Sequence, residues 1–178
     1  MRNQKTIKIT MAAVIAAMYA ALFYVQNFIA PGTASQAIQF RVCEVLNVLA
    51  LFTPYAIPGL TVGCIVSNLS GIAMGLPLDM IFGSLATLGA TWCIYLLRNA
   101  KIKGYPLFAM LMPAVWNGVV IGWEIEAFFM EGPFNFKSFL IQGGYVALGE
   151  LGVMLVLGTI LYYTLKKANI EKQISTTK

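Results

Sequence analysis

The sequence contains no histidine, and only 11% of its 178 residues are charged. The absence of histidine removes the most frequent general base and the most frequent zinc ligand. The three cysteines, Cys43, Cys64 and Cys93, lie far apart and form no CxxC pair, so we expect neither a metal site nor a disulfide framework. Soluble domains average about 25% charged residues. A chain with so few charges is not expected to present its surface to water.

Apolar residues make up 59% of the chain and fall into long runs, separated by polar stretches or by proline and glycine. A helix that spans a membrane needs about 20 mostly apolar residues. The pattern predicts an all-α fold, an integral membrane bundle of six transmembrane helices in one domain, residues 1–178. The predicted spans are residues 9–29, 37–52, 55–75, 78–97, 107–130 and 139–165.

Two of the six segments have alternatives. The second segment is short and contains Arg41 and Glu44, so a re-entrant or interfacial helix is an alternative to a full span. The first segment follows Arg2, Lys5 and Lys8, as the apolar part of a cleaved leader does. Its apolar run is longer than the ~7–15 residues of such a leader, so we favour a first spanning helix.

Basic residues indicate how the bundle is oriented. They cluster before the first segment, after the fourth segment and in the C-terminal tail, and with six spans these three regions lie on one side. Short cytoplasmic loops are enriched in lysine and arginine, so both termini are predicted to be cytoplasmic. The clustered residues are Arg2, Lys5, Lys8, Arg98, Lys101, Lys103, Lys166, Lys167 and Lys172. Topology thus explains the net charge of +5, and no nucleic-acid partner is expected.

The ionisable residues within the predicted spans, together with Gln142, all fall in the outer half of the membrane under this topology. Ionisable groups inside a span are costly and are therefore functional candidates. Their position favours a site that opens to the outside and captures an external solute. The residues are Arg41, Glu44, Asp79, Glu124, Glu126, Gln142 and Glu150.

Helical spacing predicts which of these polar groups meet. Asn117 and Glu124 share one helix face, Gln142 and Glu150 share another, and Arg41 and Glu44 share a third, because residues three, four, seven or eight apart lie on one side of a helix. Three helices are therefore expected to direct polar side chains into a common cavity. Two tryptophans, Trp116 and Trp123, lie close by for stacking on a flat ring.

Each candidate also has a purely structural interpretation. Arg41 and Glu44 can form an ion pair, the tryptophans can serve packing or an interfacial belt, and Glu126 and Glu131 can be solvated near the interface. Asp79 follows a proline at a helix start, where a carboxylate stabilises free amides. Glu124 and Glu150 are the hardest to explain this way, because neither has a cationic neighbour one turn away on its own helix.

The first helix carries two ridges of alanine with a period of four residues. Small residues at this spacing let another helix approach closely, either within the bundle or on a separate membrane protein. The chain has no GxxxxGK[ST] nucleotide loop and no evident internal repeat, so an energised partner is expected to supply the driving force. The ridges are Ala12, Ala16 and Ala20, and Ala13, Ala17 and Ala21.

Four stretches of the sequence resemble the QueT family, within a similarity that runs from about residue 7 to the last helix. They are residues 39–46 (Gln-Phe-Arg-Val-Cys-Glu-Val-Leu), residues 52–59 (Phe-Thr-Pro-Tyr-Ala-Ile-Pro-Gly), residues 79–88 (Asp-Met-Ile-Phe-Gly-Ser-Leu-Ala-Thr-Leu), and Asn117 with residues 122–124 (Gly-Trp-Glu). The resemblance implies a bacterial cell-membrane protein, the substrate-capture subunit (S component) of an energy-coupling factor (ECF) transporter, with no cofactor and no enzymatic activity. Such subunits work with a transmembrane coupling subunit and two ATPase subunits, and dock through an alanine-rich first helix.

The substrates implied by the resemblance are queuosine precursors, which are 7-deazaguanine bases. A guanine-type edge presents an N1–H and an NH2 side by side, and one carboxylate can accept both. We expect Glu124 to take this role, with Asn117 nearby. A cationic aminomethyl arm would require a second carboxylate, either Glu150 or Glu44.

Other roles follow from the same resemblance. Trp116, Trp123 or Tyr145 would stack on the ring, Arg41 would orient Glu44 or bind the carbonyl, and Gln142 would line the pocket. The loop at residues 31–36 would close as a lid. The main alternative is a stand-alone proton-coupled transporter with Glu124 or Glu150 as the proton site. A membrane enzyme and a scaffold protein explain fewer of these features.

Overall fold

The computed structural model describes residues 4–33, 39–73 and 77–170. Within these ranges the chain forms six helical rods, and its one β-type contact is a single bridge between Ile102 and Tyr105. The all-α prediction is confirmed. The order of the rods and their approximate bounds follow the six predicted segments.

The rods are named here in chain order. They are α1 (Gln4–Ile29), the 3-10 helix (Val42–Leu51), α2 (Ala56–Ala73), α3 (Asp79–Leu97), α4 (Leu107–Glu124) with a π turn (Ile125–Phe129), and α5 (Phe136–Gly152), which continues through a second π turn (Val153–Gly158) into α6 (Thr159–Lys167). Consecutive rods from α1 to α5 pack side by side, apart from the 3-10 helix, which lies among them.

Four of the rods are long and apolar enough to cross a membrane: Gln4–Ile29, Asp79–Leu97, Leu107–Phe129 and Phe136–Lys167. The second predicted span, residues 37–52, is instead a 3-10 helix of 10 residues. At about 2.0 Å per residue it extends roughly 20 Å, less than the ~30 Å of a hydrocarbon core. This length fits the re-entrant alternative better than a full span.

The turns between rods occur at the predicted breakers. Gly32 after α1 and Gly132 before α5 have φ angles of 84° and 99°, and glycine adopts such left-handed backbone without steric penalty. The predicted end of the third span, residue 75, falls within residues 74–76, and half of the predicted lid, residues 34–36, falls within residues 34–38. Both stretches lie outside the described residues.

Glycine also permits close contact between neighbouring rods. A Cβ atom added at Gly59 of α2 would lie 2.7 Å from the carbonyl oxygen of Ala12 in α1. One added at Gly122 of α4 would lie 2.5 Å from the Cα atom of Gly143 in α5. Small residues let membrane helices approach until their backbones touch, which increases van der Waals contact. The α1–α2 and α4–α5 pairs are therefore fixed by small residues.

The 3-10 helix lies at the centre of the bundle, in contact with α1, α2, α3, α4, the second π turn and α6. Runs of 3-10 helix longer than three or four residues are uncommon because their hydrogen-bond geometry is poor, so packing must supply much of the stability here. In such a helix residues three apart eclipse one another. Arg41, at its start, therefore continues one ridge with Glu44 and Asn47, and all three are buried.

Polarity is distributed in the opposite sense to that of a water-soluble fold. Large apolar side chains such as Phe28, Trp92 and Ile160 are exposed, whereas Arg41 and Glu150 are almost completely buried. Buried charge and an extensive apolar exterior are the informative deviations from ordinary globular composition. An apolar exterior of this kind is suited to lipid.

Candidate substrate site

The segment that leads into the 3-10 helix is fixed by α1. Gln26 of α1 accepts a hydrogen bond from the backbone N–H of Val42 at 2.8 Å. Its amide nitrogen donates to the carbonyl oxygen of Phe40 and, at 3.1 Å, to the hydroxyl of Thr33. The side chain of Gln26 thus bonds to the backbone on both sides of Arg41, at Phe40 and at Val42, and it fixes the position of Arg41.

Arg41 forms an ion pair with Asp79 at the first turn of α3, with 2.8 Å between the guanidinium nitrogen and the carboxylate oxygen. Asn68 of α2 donates to the backbone carbonyl of Asp79 at 2.9 Å. The guanidinium lies against Gly83, where an added Cβ would be 3.5 Å from it. Asp79 lies in the first turn of α3, where a carboxylate interacts favourably with the helix dipole, but within the described chain no side-chain hydrogen bond caps this helix, and the carboxylate pairs with Arg41.

Glu44 has partners for both of its carboxylate oxygens. The hydroxyl of Tyr19 in α1 donates to one oxygen, and the amide of Asn47 donates to the other. Neither partner was predicted from the sequence. The three-residue spacing of Arg41, Glu44 and Asn47 was a usable signal for Asn47, whereas Tyr19 lies within the alanine ridges and gave none.

Glu124 and Glu150 are buried to within 1% of complete, and none of their four carboxylate oxygens has a hydrogen-bond partner among the described residues. Glu124 lies in the electrostatic field of Asp79 and Arg41, and Glu150 lies in that of Glu44 and Arg41. The structure therefore brings together five ionisable side chains that the sequence spreads over four rods. We call these five residues the buried charge cluster.

The buried charge cluster sets one guanidinium against four carboxyl groups. Removing an unpaired charge from water costs several kcal/mol even after relaxation, so two carboxylates without partners are costly unless another group meets them. Within the described ranges no three Cys, Asp or Glu side chains are placed to hold a metal ion. A solute with N–H donors or positive charge is the chemical complement of this site.

Two π turns adjoin the cluster. One begins directly after Glu124, and the other begins three residues after Glu150. Such turns insert an extra residue into a helix and occur frequently at functional sites. Here the two π turns follow the positions on α4 and α5 from which Glu124 and Glu150 project into the bundle.

Two other predicted polar residues lie on the same helices. Asn117 is buried on the Glu124 face of α4, about 10 Å along the axis at 1.5 Å per residue, and its amide donates to the carbonyl oxygen of Pro113 at 3.0 Å. Gln142 is half-buried on α5, with its amide nitrogen 4.0 Å from the sulfur of Met130.

The predicted stacking residues lie elsewhere. Trp116 packs its ring over Gly89 of α3, and Trp123 is 41% exposed. Both tryptophans line an apolar groove of about 720 Å³ on the outer face of the bundle, together with residues of α3. Tyr145 of α5 is 43% exposed. The structure does not bring these aromatic side chains into contact with the buried charge cluster.

Glu126 and Glu131 were both expected to be solvated. Glu131 is exposed, but Glu126 is only 5% exposed and accepts a hydrogen bond at 2.8 Å from the backbone N–H of Asn135. The expectation for Glu126 is therefore wrong, because the π turn directs its side chain back onto the start of α5.

The two alanine ridges of α1 face different ways. Ala16 and Ala20 are buried and Ala12 is half-buried, on the side that meets α2, whereas the other ridge is exposed. A groove of about 410 Å³ runs beside them, between α1 and α2. The exposed ridge consists of Ala13, Ala17 and Ala21.

The basic regions gather at one end of the bundle. The ammonium of Lys8 lies over the ring of Tyr55, at 5.6 Å from its centroid. Nearby, the ring of Phe52 is 6.1 Å from that of Tyr162, whose hydroxyl donates to the carbonyl oxygen of Gly104. The helix α4 begins near this end at Leu107 and ends at Glu124, about 26 Å away along its axis at 1.5 Å per residue. The buried charge cluster therefore lies toward the opposite end.

An apolar helical exterior around an internal polar site, with two carboxylates that have no hydrogen-bond partner among the described residues, is typical of a membrane protein that holds a polar solute. The comparisons with known proteins agree with this class. The model of the family described as QueT transporter matches residues 9–167. The chain therefore belongs to the QueT transporter family, as the resemblance of its motifs predicted, and it is a multi-pass bacterial membrane transport protein rather than an enzyme.

One curated relative matches over its whole length. It is the "Queuosine precursor transporter QueT" of Lactococcus lactis subsp. cremoris (strain MG1363), which is 28% identical over 186 residues, covering 97% of this chain and 100% of the relative. No solved structure matches the chain significantly.

Proposed function

We propose that this chain is the S component of an ATP-driven ECF importer and captures a queuosine precursor, a 7-deazaguanine base, from outside the cell. The observation that carries the proposal is the pair of buried carboxylates, Glu124 and Glu150, whose oxygens have no hydrogen-bond partner among the described residues. Family membership and the name of the Lactococcus relative support the substrate class.

The chemistry of the site suits a guanine-type ring. Its N1–H and exocyclic NH2 would donate side by side to Glu124, and such hydrogen bonds to a charged acceptor contribute about 1.5–3 kcal/mol each. Asn117 lies on the same face of α4 to meet further ring atoms. Arg41, which lies beside Asp79, would donate to the ring carbonyl.

The direction of entry follows from charge. The end of the bundle that carries the basic regions is proposed to be cytoplasmic, in accord with the positive-inside rule. The buried charge cluster then lies in the outer half of a six-helix bundle with both termini inside. A solute would reach it from outside without crossing the apolar inner half.

Partner docking is proposed to use α1. Its exposed ridge of Ala13, Ala17 and Ala21 offers a flat surface to a helix of the transmembrane coupling subunit. The ridge of Ala12, Ala16 and Ala20 would hold α1 against α2 and so keep the docking surface in place. Two ATPase subunits would supply the energy, since this sequence has no nucleotide-binding loop of its own.

The experiment separates binding from transport. Purified protein should bind a 7-deazaguanine by itself, and proteoliposomes should accumulate it only when the coupling and ATPase subunits are present with ATP. Ala17→Trp should retain binding and lose transport, because it blocks docking without touching the pocket. Glu124→Gln should weaken binding strongly; unchanged affinity would exclude the proposed role of Glu124.

A second candidate, a stand-alone proton-coupled transporter, is favoured by the same two carboxylates, since buried acidic groups can carry protons. It predicts uptake by the chain alone in liposomes under a proton gradient. That result would replace the ECF proposal, whereas uptake dependent on ATP and the partner subunits would exclude the proton-coupled one.

A further inference from the structure

We propose that the apolar groove between α3 and α4 holds an acyl chain of an anionic phospholipid, whose head group binds the basic connection between these two helices. The groove, of about 720 Å³, shares no residue with the buried charge cluster. The lipid is therefore a ligand separate from the transported solute. Under the proposed topology it belongs to the cytoplasmic leaflet.

The walls of the groove suit a hydrocarbon chain. Gly89 of α3 has no side chain, and the ring of Trp116 in α4 lies over it, so that a Cβ atom at position 89 would be 2.6 Å from the ring. The indole N–H of Trp116 donates to the sulfur of Cys93 at 3.4 Å, which gives this polar group a partner within the wall. The other lining residues are phenylalanine, leucine, valine and tryptophan. The groove therefore offers no polar group to its occupant.

The connection from α3 to α4 carries three basic residues and no acidic one. Arg98 follows the last residue of α3, Lys101 and Lys103 come next, and residues 94–115 contain neither aspartate nor glutamate. Both lysines are exposed, and none of the three basic residues forms an ion pair with an acidic side chain among the described residues. Basic pockets between membrane helices bind anionic lipid head groups. The charge of the connection is thus complementary to a lipid phosphate.

The turn that carries the two lysines is held to the bundle. A β-bridge closes it around Lys103 and Gly104, whose φ angles are 50° and 82°. The hydroxyl of Tyr105 bonds to that of Thr159 in α6 at 2.5 Å, and Tyr162 donates to the carbonyl oxygen of Gly104 at 3.2 Å. The positive-inside rule requires only that such charges are present. A head-group site also requires that they are fixed in place, as they are here.

The spacing between the basic connection and the groove fits one acyl chain. One leaflet contributes half of the ~30 Å hydrocarbon core, or about 15 Å. At 1.5 Å per residue, Trp92 lies about 9 Å along α3 from Arg98, and Trp116 lies about 14 Å along α4 from Leu107. A lipid bound at the connection therefore reaches both tryptophans. Trp123 lies about 24 Å from Leu107, beyond the same leaflet.

Tryptophan fluorescence reports the contents of the groove, because all three tryptophans of the chain line it. Bromine atoms on an acyl chain quench tryptophan on contact. The full chain is placed in phosphatidylcholine vesicles that contain a minor fraction of phosphatidylglycerol. The bromines are carried either by the phosphatidylglycerol or by an equal amount of the phosphatidylcholine, on identical acyl chains. Quenching of the wild-type protein should correspond to at least about tenfold preferred binding of phosphatidylglycerol, since each basic residue near an anionic lipid contributes about fivefold.

A double variant tests the head-group site. Lys101→Gln with Lys103→Asn should lower the preference to less than about threefold, and asparagine is used at position 103 because it tolerates a positive φ angle. The matched control, Lys8→Gln with Lys167→Gln, removes two basic groups of α1 and α6 at the same end of the bundle and should leave the preference unchanged. An equal loss in the control would assign the preference to the total charge of this end and overturn the proposal.

Two tryptophan variants test where the acyl chain lies. Trp123→Phe should keep the preference, because Trp92 and Trp116 remain within reach of the lipid. The variant with Trp92→Phe and Trp116→Phe retains Trp123 as its only tryptophan and should be quenched equally by the two brominated lipids. A full preference at Trp123 would contradict the placement of the lipid at the basic end of the groove.

The wild-type measurement is decisive without any variant. Equal quenching by the two lipids would overturn the proposal, because a lipid-facing surface without a head-group site shows no such preference. Weak quenching by both lipids would also overturn it, because another helix or a second copy of the chain would then cover the groove. Neither result bears on solute binding, so the proposed function is tested separately.

Discussion

Gly149 offers a sharp test of how the site is assembled, because it lies one residue before Glu150 and against the segment that leads to Arg41. A Cβ atom added at Gly149 would lie 2.9 Å from the backbone carbonyl carbon of Gln39, 3.2 Å from its nitrogen and closer still to its oxygen. Favourable contacts between heavy atoms lie at about 3.5–4.0 Å. Gly149→Ala must therefore push the Gln39 backbone away from α5 and move Arg41 with it.

The size of the effect can be set against a matched substitution. Overpacking of this kind costs about 1–3 kcal/mol, while replacing a helical glycine by alanine gains about 1 kcal/mol in helix propensity. Gly144, on the same helix, has nothing within 4 Å of an added Cβ, so Gly144→Ala gains the propensity without the clash. The two variants should differ by about 1–3 kcal/mol in the free energy of unfolding.

Thermal unfolding in detergent measures the difference, which at this chain length corresponds to roughly 2–4 °C for each kcal/mol. Ligand titration of the same samples should show weaker binding for Gly149→Ala and wild-type affinity for Gly144→Ala. If the two variants have the same midpoint and the same affinity, the contact between α5 and the Gln39 backbone does not hold the site together.

Three further predictions address individual side chains. Arg41→Met should lower the free energy of unfolding by about 3 kcal/mol, because it leaves a partly buried Asp79 without its partner. Adding Asp79→Asn should restore part of this loss in a thermal melt. A double variant no more stable than Arg41→Met alone would refute the ion pair. Tyr19→Phe should cost about 1.5–3 kcal/mol through the lost bond to Glu44, measured the same way, and no loss would refute that bond. Trp123→Ala should leave ligand affinity within about twofold of the wild-type value in a titration, since the ring lines the apolar groove. A large loss of affinity would show that the ring contributes to the substrate pocket.

Much of the helical framework could be predicted from the sequence. The breakers at Gly32 and Gly132 fall where rods end, because proline and glycine interrupt long apolar runs. The position of the 3-10 helix was also predicted, but its geometry was not. The 3-10 geometry, with three residues per turn, could not be predicted because it depends on packing against several rods, which overrides the local preference for an α-helix.

The candidate site was predictable in its acidic members and not in its partners. Glu124 and Glu150 stand out because a carboxylate in a membrane span requires an explanation. The pairing of Arg41 with Asp79 joins positions 38 residues apart, and no local spacing could indicate it. The seven-residue spacing of the two tryptophans identifies a helix stripe but not whether that stripe faces the cluster or the lipid, and in the structure both rings line the apolar groove.

The most direct test of the central claim is equilibrium binding of 7-aminomethyl-7-deazaguanine to the purified chain, in the absence of any partner subunit, for the wild-type protein and Glu124→Gln. The buried charge cluster predicts saturable one-to-one binding to the wild-type protein and a loss of at least about tenfold in the variant. Absence of binding to folded wild-type protein, or equal affinity in the two proteins, would contradict the assignment of the cluster as the substrate site.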